Sequence, residues 1–233
     1  MAAPVAARAV LFPIYAFNVE VARAPWVTQE TMIAEMRLQW WRDALDEIRA
    51  GGPVRRHEVI TPLAAVLDAE GAGLLDQLVV ARRWDIYREP FEEEAHFLDY
   101  LDRTAGNLML AAGRALGPVD EGVIRDAGFA HGLANWLYAI PALEQAGRVP
   151  LTDGRPEAVR ALALDGLERL HRARVARGKV SRTARPALLP LWQSGAILSR
   201  AVSEPALVAM GALAPSPARS RLMLMARALT GRW

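Results

Sequence analysis

Carboxylates at helical spacing are the residues of this chain best suited to chemistry. Asp43 and Glu47 are four positions apart, which places both side chains on one face of a helix, with Asp46 beside them. Hard oxygen ligands of this kind are what magnesium requires, so the patch could be a metal site. The alternative is a solvated helix face whose charge is balanced by Arg42 and Arg49, and we favour this simpler interpretation.

Other familiar catalytic patterns are missing from the sequence. The chain has no cysteine, which excludes disulfides, thiolate metal sites and a cysteine nucleophile. None of the four histidines is paired at zincin spacing, and neither a Gly-x-Ser-x-Gly elbow nor a glycine-rich phosphate loop occurs. His131 precedes Asn135 by one helical turn, where we favour a hydrogen-bonded core or cavity histidine over a metal ligand or base.

The composition is that of a globular protein with a substantial core. The 233 residues are 52% hydrophobic and 23% charged, which suits a single domain over residues 1–233. The net charge of +2, from 28 basic and 26 acidic residues, gives no reason to expect nucleic-acid binding. The first ten residues lack the apolar run of a signal peptide, and no uncharged apolar stretch is long enough to span a membrane. We therefore expect a cytoplasmic protein.

The hydrophobic periodicity is helical almost throughout, and no segment alternates convincingly with a period of two. Glycine and proline mark helix ends, as at Gly51-Gly52-Pro53, and Pro141 is expected to kink a long helix. We predict one all-α domain of about eight helices. Their approximate bounds are Thr28–Arg49, Thr61–Ala69, Gly73–Tyr87, Glu92–Leu116, Asp120–Ala146, Pro156–Arg177, Pro186–Ser203 and Pro217 to the C-terminus.

Small residues cluster on several predicted helices, as at Ala105-Gly106, Gly128 and Gly132. Small side chains let helices approach closely or leave room for a ligand cavity between them, and close packing is the favoured interpretation. The pair Trp40-Trp41 poses a similar choice between core packing and the wall of a lipid-binding cavity. Core packing is again favoured.

A series of short segments, taken together, resembles the squalene/phytoene synthase family in order and spacing. The resemblance implies an antiparallel helical bundle of the class I isoprenoid synthase type around a central cavity. The segments are Tyr15-Ala16-Phe17, Arg37-Leu38-Gln39-Trp40-Trp41-Arg42-Asp43, Arg83-Trp84-Asp85-Ile86-Tyr87, Tyr100-Leu101 with Thr104-Ala105-Gly106, Leu133-Ala134-Asn135-Trp136-Leu137-Tyr138-Ala139, Gly147-Arg148 and Pro186-Ala187-Leu188-Leu189.

The same resemblance implies a magnesium chemistry from which this sequence departs. Active members place aspartates on two facing helices, where magnesium neutralises the diphosphate leaving group of a prenyl substrate. Here the first motif is replaced by Ala-Arg-Ala-Pro-Trp over residues 22–26. In the second motif Asn135 remains, but Tyr138 and Ala139 stand in the arginine and aspartate positions. We therefore expect no metal or cofactor, and a scaffold helix at the opening segment with Arg23 facing the place that magnesium would occupy.

An aspartate-poor branch of the family includes a mitochondrial assembly factor for respiratory complex I. Its second-motif region is similar to Ala139-Ile140-Pro141. The resemblance to this branch implies a non-catalytic assembly factor or an isoprenoid- or lipid-binding protein at a membrane surface, with respiratory-complex proteins as possible partners. The alternative is an active prenyltransferase that condenses prenyl diphosphates, with magnesium held by the relocated ligands Glu20, Asp43 and Glu47.

Nine residues are candidates for lining the cavity that the resemblance implies. Asp85 could form an ion pair with Arg82 or Arg83 at the cavity mouth, or this pair could be a structural bridge, and both interpretations stay open. The nine candidates are Tyr15, Asn18, Arg23, Trp41, Arg83, Asp85, His131, Asn135 and Tyr138.

Two basic regions could contact a membrane or a partner. One is the run of basic residues from Arg169 to Arg185, where nearby acidic residues favour a solvated face. The other is the last helix, in which Leu222, Met225 and Leu229 share one face and Trp233 follows. Such a helix suits the inner face of a membrane, although packing against the bundle is favoured. Its flanking arginines are Arg219, Arg221, Arg227 and Arg232.

Overall fold

The computed structural model describes residues 3–214, 216–230 and 233, and this part of the chain contains helices and no strand. The all-α prediction is thus confirmed. Twelve α-helices lie within the described residues. They are α1 Val5–Arg23, α2 Thr31–Arg49, α3 Ile60–Ala64, α4 Ala69–Ala81, α5 Trp84–Tyr87, α6 Glu94–Leu101, α7 Asn107–Leu116, α8 Glu121–Gln145, α9 Pro156–Val175, α10 Ser194–Ser203, α11 Ala206–Ala209 and α12 Pro217–Thr230.

The structure divides the chain into more helices than the eight predicted, partly because three segments form π- or 3-10 helices instead of α-helices. A π-helical turn, Asp102–Gly106, joins α6 to α7, so that these helices follow one another without a loop. A short 3-10 helix, Arg177–Lys179, follows α9. A second one, Arg185–Gln193, occupies the first half of the helix predicted from Pro186 to Ser203. Pro190 lies inside it, and its missing N–H is incompatible with a regular α-helical ladder.

The boundary between α3 and α4 also differs from the prediction, because Asp68 caps a helix. Its carboxylate accepts a hydrogen bond of 2.7 Å from the main-chain N–H of Gly71. Ala69 therefore begins α4, whereas the sequence pattern placed it at the end of the preceding helix. The start of α2 is later than predicted as well, since the Thr28 hydroxyl accepts from the N–H of Glu30 at 3.1 Å in the loop before the helix.

The buried apolar side chains form two clusters. One contains Phe129 and is built mainly by α6 to α10, and the other contains Phe17 and Trp41 and is built mainly by α1 to α4 and α7. Leu74 and Leu116 pack against both clusters and so connect them. The helices around the cavity described below are held from both sides by this packing.

Close approach of α8 to the π-helical turn requires glycine. A Cβ atom on Gly128 would stand 2.8 Å from the Cα of Gly106, and one on Gly132 would stand 2.7 Å from the Cβ of Ala105. Contacts this short do not occur between real side chains, so two small-residue pairs set the distance between these elements. Close packing, the favoured interpretation of these residues, describes this interface.

The first helix qualifies as a candidate membrane span, which the sequence analysis did not foresee. By length and composition α1 could cross a membrane, because an apolar window tolerates a few charges such as Arg8 and Glu20. The helix of a soluble core passes the same test, so this is weak support for a span. Its inward face, with Leu11, Ile14 and Phe17, packs into the second cluster.

The last helix does not pack through the face that the sequence singled out. Leu222 and Met225 are exposed over 67% and 60% of their surfaces. Trp233 is buried in the first cluster, and Met223 lies on the side that faces the bundle. The side chains of Leu229, Arg219 and Arg232, which belong to the same prediction, lie outside the described residues.

Candidate functional site: a central cavity with one buried carboxylate

A cavity of about 300 Å³ lies between α1, the α6–α7 helix and α8. Tyr15 and Asn18 reach it from α1, and Leu101 and Ala105 reach it from α6 and the π-helical turn. The largest share of the wall comes from α8, over residues 131–143. Its volume is at the lower end of the range typical of small-molecule sites.

Among the described residues, Asp85 is the only carboxylate that lines this cavity, and it is 5% exposed. Its Oδ2 accepts a hydrogen bond of 3.0 Å from Nη1 of Arg82, and its Oδ1 accepts one of 2.9 Å from the hydroxyl of Tyr100. The same Nη1 of Arg82 donates to the Tyr100 hydroxyl at 2.9 Å. The three side chains form a closed triangle in which the charge of the carboxylate is matched and both of its oxygens are occupied.

The C-terminus of α8 brings a second arginine to the back of this triangle. Gly147 has a positive φ of 75°, and the N–H of Arg148 bonds to the carbonyl of Leu143 at 3.0 Å, as in a Schellman motif. The turn directs Arg148 to the main-chain carbonyl of Asp85, to which its Nη2 donates. Burial lowers the pKa of Arg148, and its guanidinium lies 4.9 Å from the ring of Trp26.

A neutral histidine occupies the opposite wall. Burial lowers the pKa of His131 to about 4, so the ring is uncharged at neutral pH. Nε2 lies 3.1 Å from the amide nitrogen of Asn135, which can only donate, so Nε2 accepts and the ring proton is on Nδ1. Nδ1 in turn lies 3.4 Å from the hydroxyl of Ser194. Burial also raises the pKa of Tyr15 to about 12, which keeps this phenol neutral.

An aromatic cluster closes the cavity on the side of the carboxylate. Trp136 lies with its ring centroid 5.3 Å from that of Tyr100, in edge-on geometry, and Trp84 stacks on Phe91 at 4.0 Å. The indole nitrogen of Trp136 donates to the carbonyl of Pro150 at 2.9 Å, which leaves the ring to the cavity as an apolar surface. Apart from the triangle, the walls therefore offer aromatic surface and neutral polar groups.

Five of the nine predicted site residues line this cavity and four do not. Arg23 is exposed and lies 3.5 Å from Glu20, one turn away on α1. Arg83 pairs with Glu35 of α2 at 2.9 Å, so Arg82 is the one of the two predicted arginines that forms the ion pair with Asp85. The five that line it are Tyr15, Asn18, Asp85, His131 and Asn135.

The remaining two candidates also lie away from the cavity. Trp41 packs in the second core cluster, with its ring centroid 5.4 Å from that of Phe17. Tyr138 is 53% exposed, because it lies on the outer side of α8. The core interpretation of the tryptophan pair therefore describes Trp41 better than the cavity interpretation.

The proposed relocated ligands do not meet in the cavity either. Glu47 is held by Arg55, whose Nη2 and Nε donate to Oε1 at 2.7 and 3.0 Å. Asp43 is exposed and accepts from Gln39 at 2.8 Å. None of Glu20, Asp43 and Glu47 lines the cavity.

The donor set of the cavity does not fit a magnesium cluster. Magnesium prefers several oxygen ligands, at least some of them anionic, in octahedral geometry. The one lining carboxylate, Asp85, is engaged by Arg82 and Tyr100 on both oxygens. Within residues 3–214 and the described parts that follow, no group of three or more histidine or acidic side chains is placed to hold a metal ion.

Several residues of this site were not among the sequence candidates. Arg82 was predicted as a possible ion-pair partner of Asp85, which stands three positions after it on the same helical face, but not as a cavity residue. Tyr100 and Arg148 belong to segments of the resemblance, but nothing in their spacing links them to Asp85. Trp26 lies beyond the end of α1, and only the tertiary fold places it over Arg148.

Comparison with known proteins finds a matching family model and a solved structure of similar fold. A family model described as squalene/phytoene synthase matches residues 1–229. A crystal structure of a dehydrosqualene synthase in complex with ligand is similar in fold, with a TM-score of 0.71 and 14% sequence identity. The similarity covers 95% of this chain and 85% of that one. No curated protein matches the sequence.

The structural match confirms the architecture that the resemblance implied. At this level of identity it speaks for the fold alone, the all-helical bundle of the terpenoid synthases. The long α8 and the α6–α7 helix, which wall the cavity, are parts of that bundle.

Proposed function

The chain belongs to the squalene/phytoene synthase family, and from this premise we propose that it is a non-catalytic member that binds an isoprenoid or lipid chain in its central cavity. The observation that carries the proposal is the state of Asp85. Asp85 is the one carboxylate that the described residues bring to the cavity, and its charge and both of its oxygens are already engaged by Arg82 and Tyr100, so it is a poor ligand for a metal–diphosphate complex. The same triangle leaves a cavity that suits an uncharged ligand.

The walls of the cavity support an apolar ligand with a small polar end. Trp136 and Leu108 offer apolar surface, and the neutral Tyr15, Asn18 and His131 offer hydrogen-bonding groups. An ionised diphosphate would gain little there, because the nearest guanidinium, Arg82, is already matched by Asp85. A prenyl alcohol, a quinone tail or an acyl chain would meet no uncompensated charge.

The test combines turnover with binding. Purified protein is incubated with farnesyl diphosphate and magnesium while diphosphate release is followed, and we expect none above the protein-free control. Farnesol binding is followed by tryptophan fluorescence, and Ala139→Phe should weaken it because residue 139 lines the cavity. Ala142→Phe, an exposed position on the same helix, is the matched control and should bind normally.

The outcomes separate the two functions. Magnesium-dependent diphosphate release that is lost in Glu20→Ala would favour the active prenyltransferase with relocated ligands. Equal farnesol binding by Ala139→Phe and Ala142→Phe would mean that the cavity is not the binding site.

We further propose that the protein acts in the assembly of respiratory complex I, at the inner face of a membrane. The support is the similarity of Ala139-Ile140-Pro141 to the corresponding segment of the assembly-factor branch. Deleting the gene should lower NADH:quinone oxidoreductase activity in isolated membranes while succinate oxidation stays unchanged. Restoration by the unaltered gene but not by an Asp85→Ala allele would tie the effect to the folded bundle, whereas unchanged NADH oxidation in the deletion strain would reject the assembly role.

A further inference from the structure

A second pocket, of about 600 Å³, lies between α9, α10 and α12. It shares no lining residue with the central cavity. Three arginines line it, one from each of these helices: Arg174, Arg200 and Arg227. We call it the arginine pocket. Trp192 and Ser199 are also part of its wall.

Among the described residues no acidic side chain lines the arginine pocket, and Arg174, Arg200 and Arg227 form no ion pair with an acidic side chain. Burial lowers the pKa of Arg174, and the nearby charge of Arg227 lowers it further. Like charges gathered in a concave site create a positive potential that attracts anions.

Two of the three guanidinium groups are held in place by main-chain oxygens. Nη1 of Arg200 donates to the carbonyls of Leu213 and Ala214 at 3.2 and 2.8 Å. Nε of Arg174 donates to the main-chain oxygen of Trp233 at 3.0 Å. These contacts fix the two groups before any ligand arrives, which reduces the entropy that binding would cost.

The terminal nitrogens of Arg174 remain directed toward the pocket. They lie 3.5 and 3.6 Å from the place where a Cβ on Gly195 would stand, so the missing side chain at residue 195 leaves them room. Arg227 has no hydrogen-bond partner among the described residues. Its guanidinium N–H groups are therefore available to a ligand at the pocket wall.

We propose that the arginine pocket binds a phosphate group, with Arg227 and Arg174 as its charged ligands and Arg200 and Ser199 at its edge. Guanidinium groups recognise phosphate by paired, charge-assisted hydrogen bonds. Because no carboxylate of the described residues lines the pocket, none engages the N–H groups that would form these bonds. Trp192 adds an apolar surface, so the phosphate is expected to belong to a larger molecule. The site does not depend on the function proposed for the central cavity.

Titration of the whole protein with inorganic phosphate at constant ionic strength tests the site. We expect Arg227→Gln to weaken phosphate binding by about tenfold, because one charge-assisted contact is lost. Arg221→Gln removes the same charge from an exposed position on the same helix and should leave the affinity unchanged. Ala196→Asp, which adds a carboxylate to the pocket wall, should abolish binding if Arg227→Gln proves too unstable to measure.

Vesicles identify the source of the phosphate. If phosphatidic acid in phosphatidylcholine vesicles shows the same selective loss in Arg227→Gln, the ligand is a lipid headgroup, as the exposed Leu222 and Met225 on the neighbouring face suggest. If only soluble phosphate shows it, the ligand is a soluble phosphate ester. An equal loss in Arg221→Gln, or no phosphate binding by the unaltered protein, would overturn the proposal.

Discussion

The central cavity and the arginine pocket both gather guanidinium groups, but they balance the charge in different ways. In the cavity, Arg82 faces Asp85 at 3.0 Å and Tyr100 completes the hydrogen bonds. In the arginine pocket, Arg174 and Arg227 face each other without a carboxylate among the lining residues. In the first arrangement Asp85 and Arg82 balance each other's charge, whereas among the described residues no acidic side chain balances the arginines that line the second.

The difference shows that a buried charge can belong either to a structural ion pair or to a site that binds a ligand. A matched pair inside a protein is weak evidence for ligand binding, because each partner already holds the other. An unmatched cluster costs stability and is a better indication of a site that binds something. By this criterion the triangle of the central cavity is a structural feature, and the arginine pocket is the place where we propose that a charged ligand binds.

Breaking the triangle is expected to have the largest effect. Asp85→Ala leaves the half-buried Arg82 without a counter-charge and the buried Tyr100 without an acceptor, which should destabilise the fold by about 3 kcal/mol. Urea unfolding followed by circular dichroism measures the loss. Asp153→Ala, which removes the partner of the exposed Arg155, is the control and should change stability little. A loss no larger than that of the control would show that the triangle does not hold the fold.

His131 provides a pH-dependent test of the same region. Its pKa is about 4 in the folded protein and about 6.5 when unfolded, so the unfolded chain binds more protons between these values. Stability should therefore fall as the pH drops from about 6.5 toward about 4, by at most about 1.4 kcal/mol per pH unit.

Two histidine variants distinguish the contribution of His131 to the pH dependence of stability from that of the carboxylates. His131→Gln should flatten the pH dependence of the unfolding free energy over this range, and His171→Gln, at an exposed position, should not. Parallel pH profiles for the unaltered protein and His131→Gln would mean that the histidine is not desolvated in solution.

Local signals in the sequence were sufficient to predict most of the helices. The apolar period and the caps define α2, α8 and α9 to within a few residues, because these signals act over one or two turns. The division between α3 and α4 was predicted a few residues too late, although Asp68 is a favoured residue for capping the start of a helix. The split before α10 follows from Pro190, because its missing N–H interrupts the α-helical ladder.

The site was less accessible to sequence reasoning, because its contacts join distant parts of the chain. Asp85 and Tyr100 are 15 positions apart, and no periodic pattern relates them. Trp41 was assigned to the cavity although its helix face points into the second core cluster. The arginine pocket could not be predicted for the same reason. The sequence pattern predicts that Leu222 and Met225 of α12 face the bundle, but in the structure they are exposed and the other side of the helix faces it.

The smallest predicted effect is in the arginine pocket, and it has the opposite sign to that of the triangle. Without phosphate, Arg227→Gln removes a like charge from beside Arg174, and we expect it to stabilise the fold by roughly 0.5 kcal/mol. The gain should shrink as salt is added, because partly solvated charges are screened, and it should be absent in Arg221→Gln. Thermal unfolding at low and high salt measures it. Destabilisation by Arg227→Gln would instead mean that Arg227 has a structural partner, and the contrast between the two regions would then be lost.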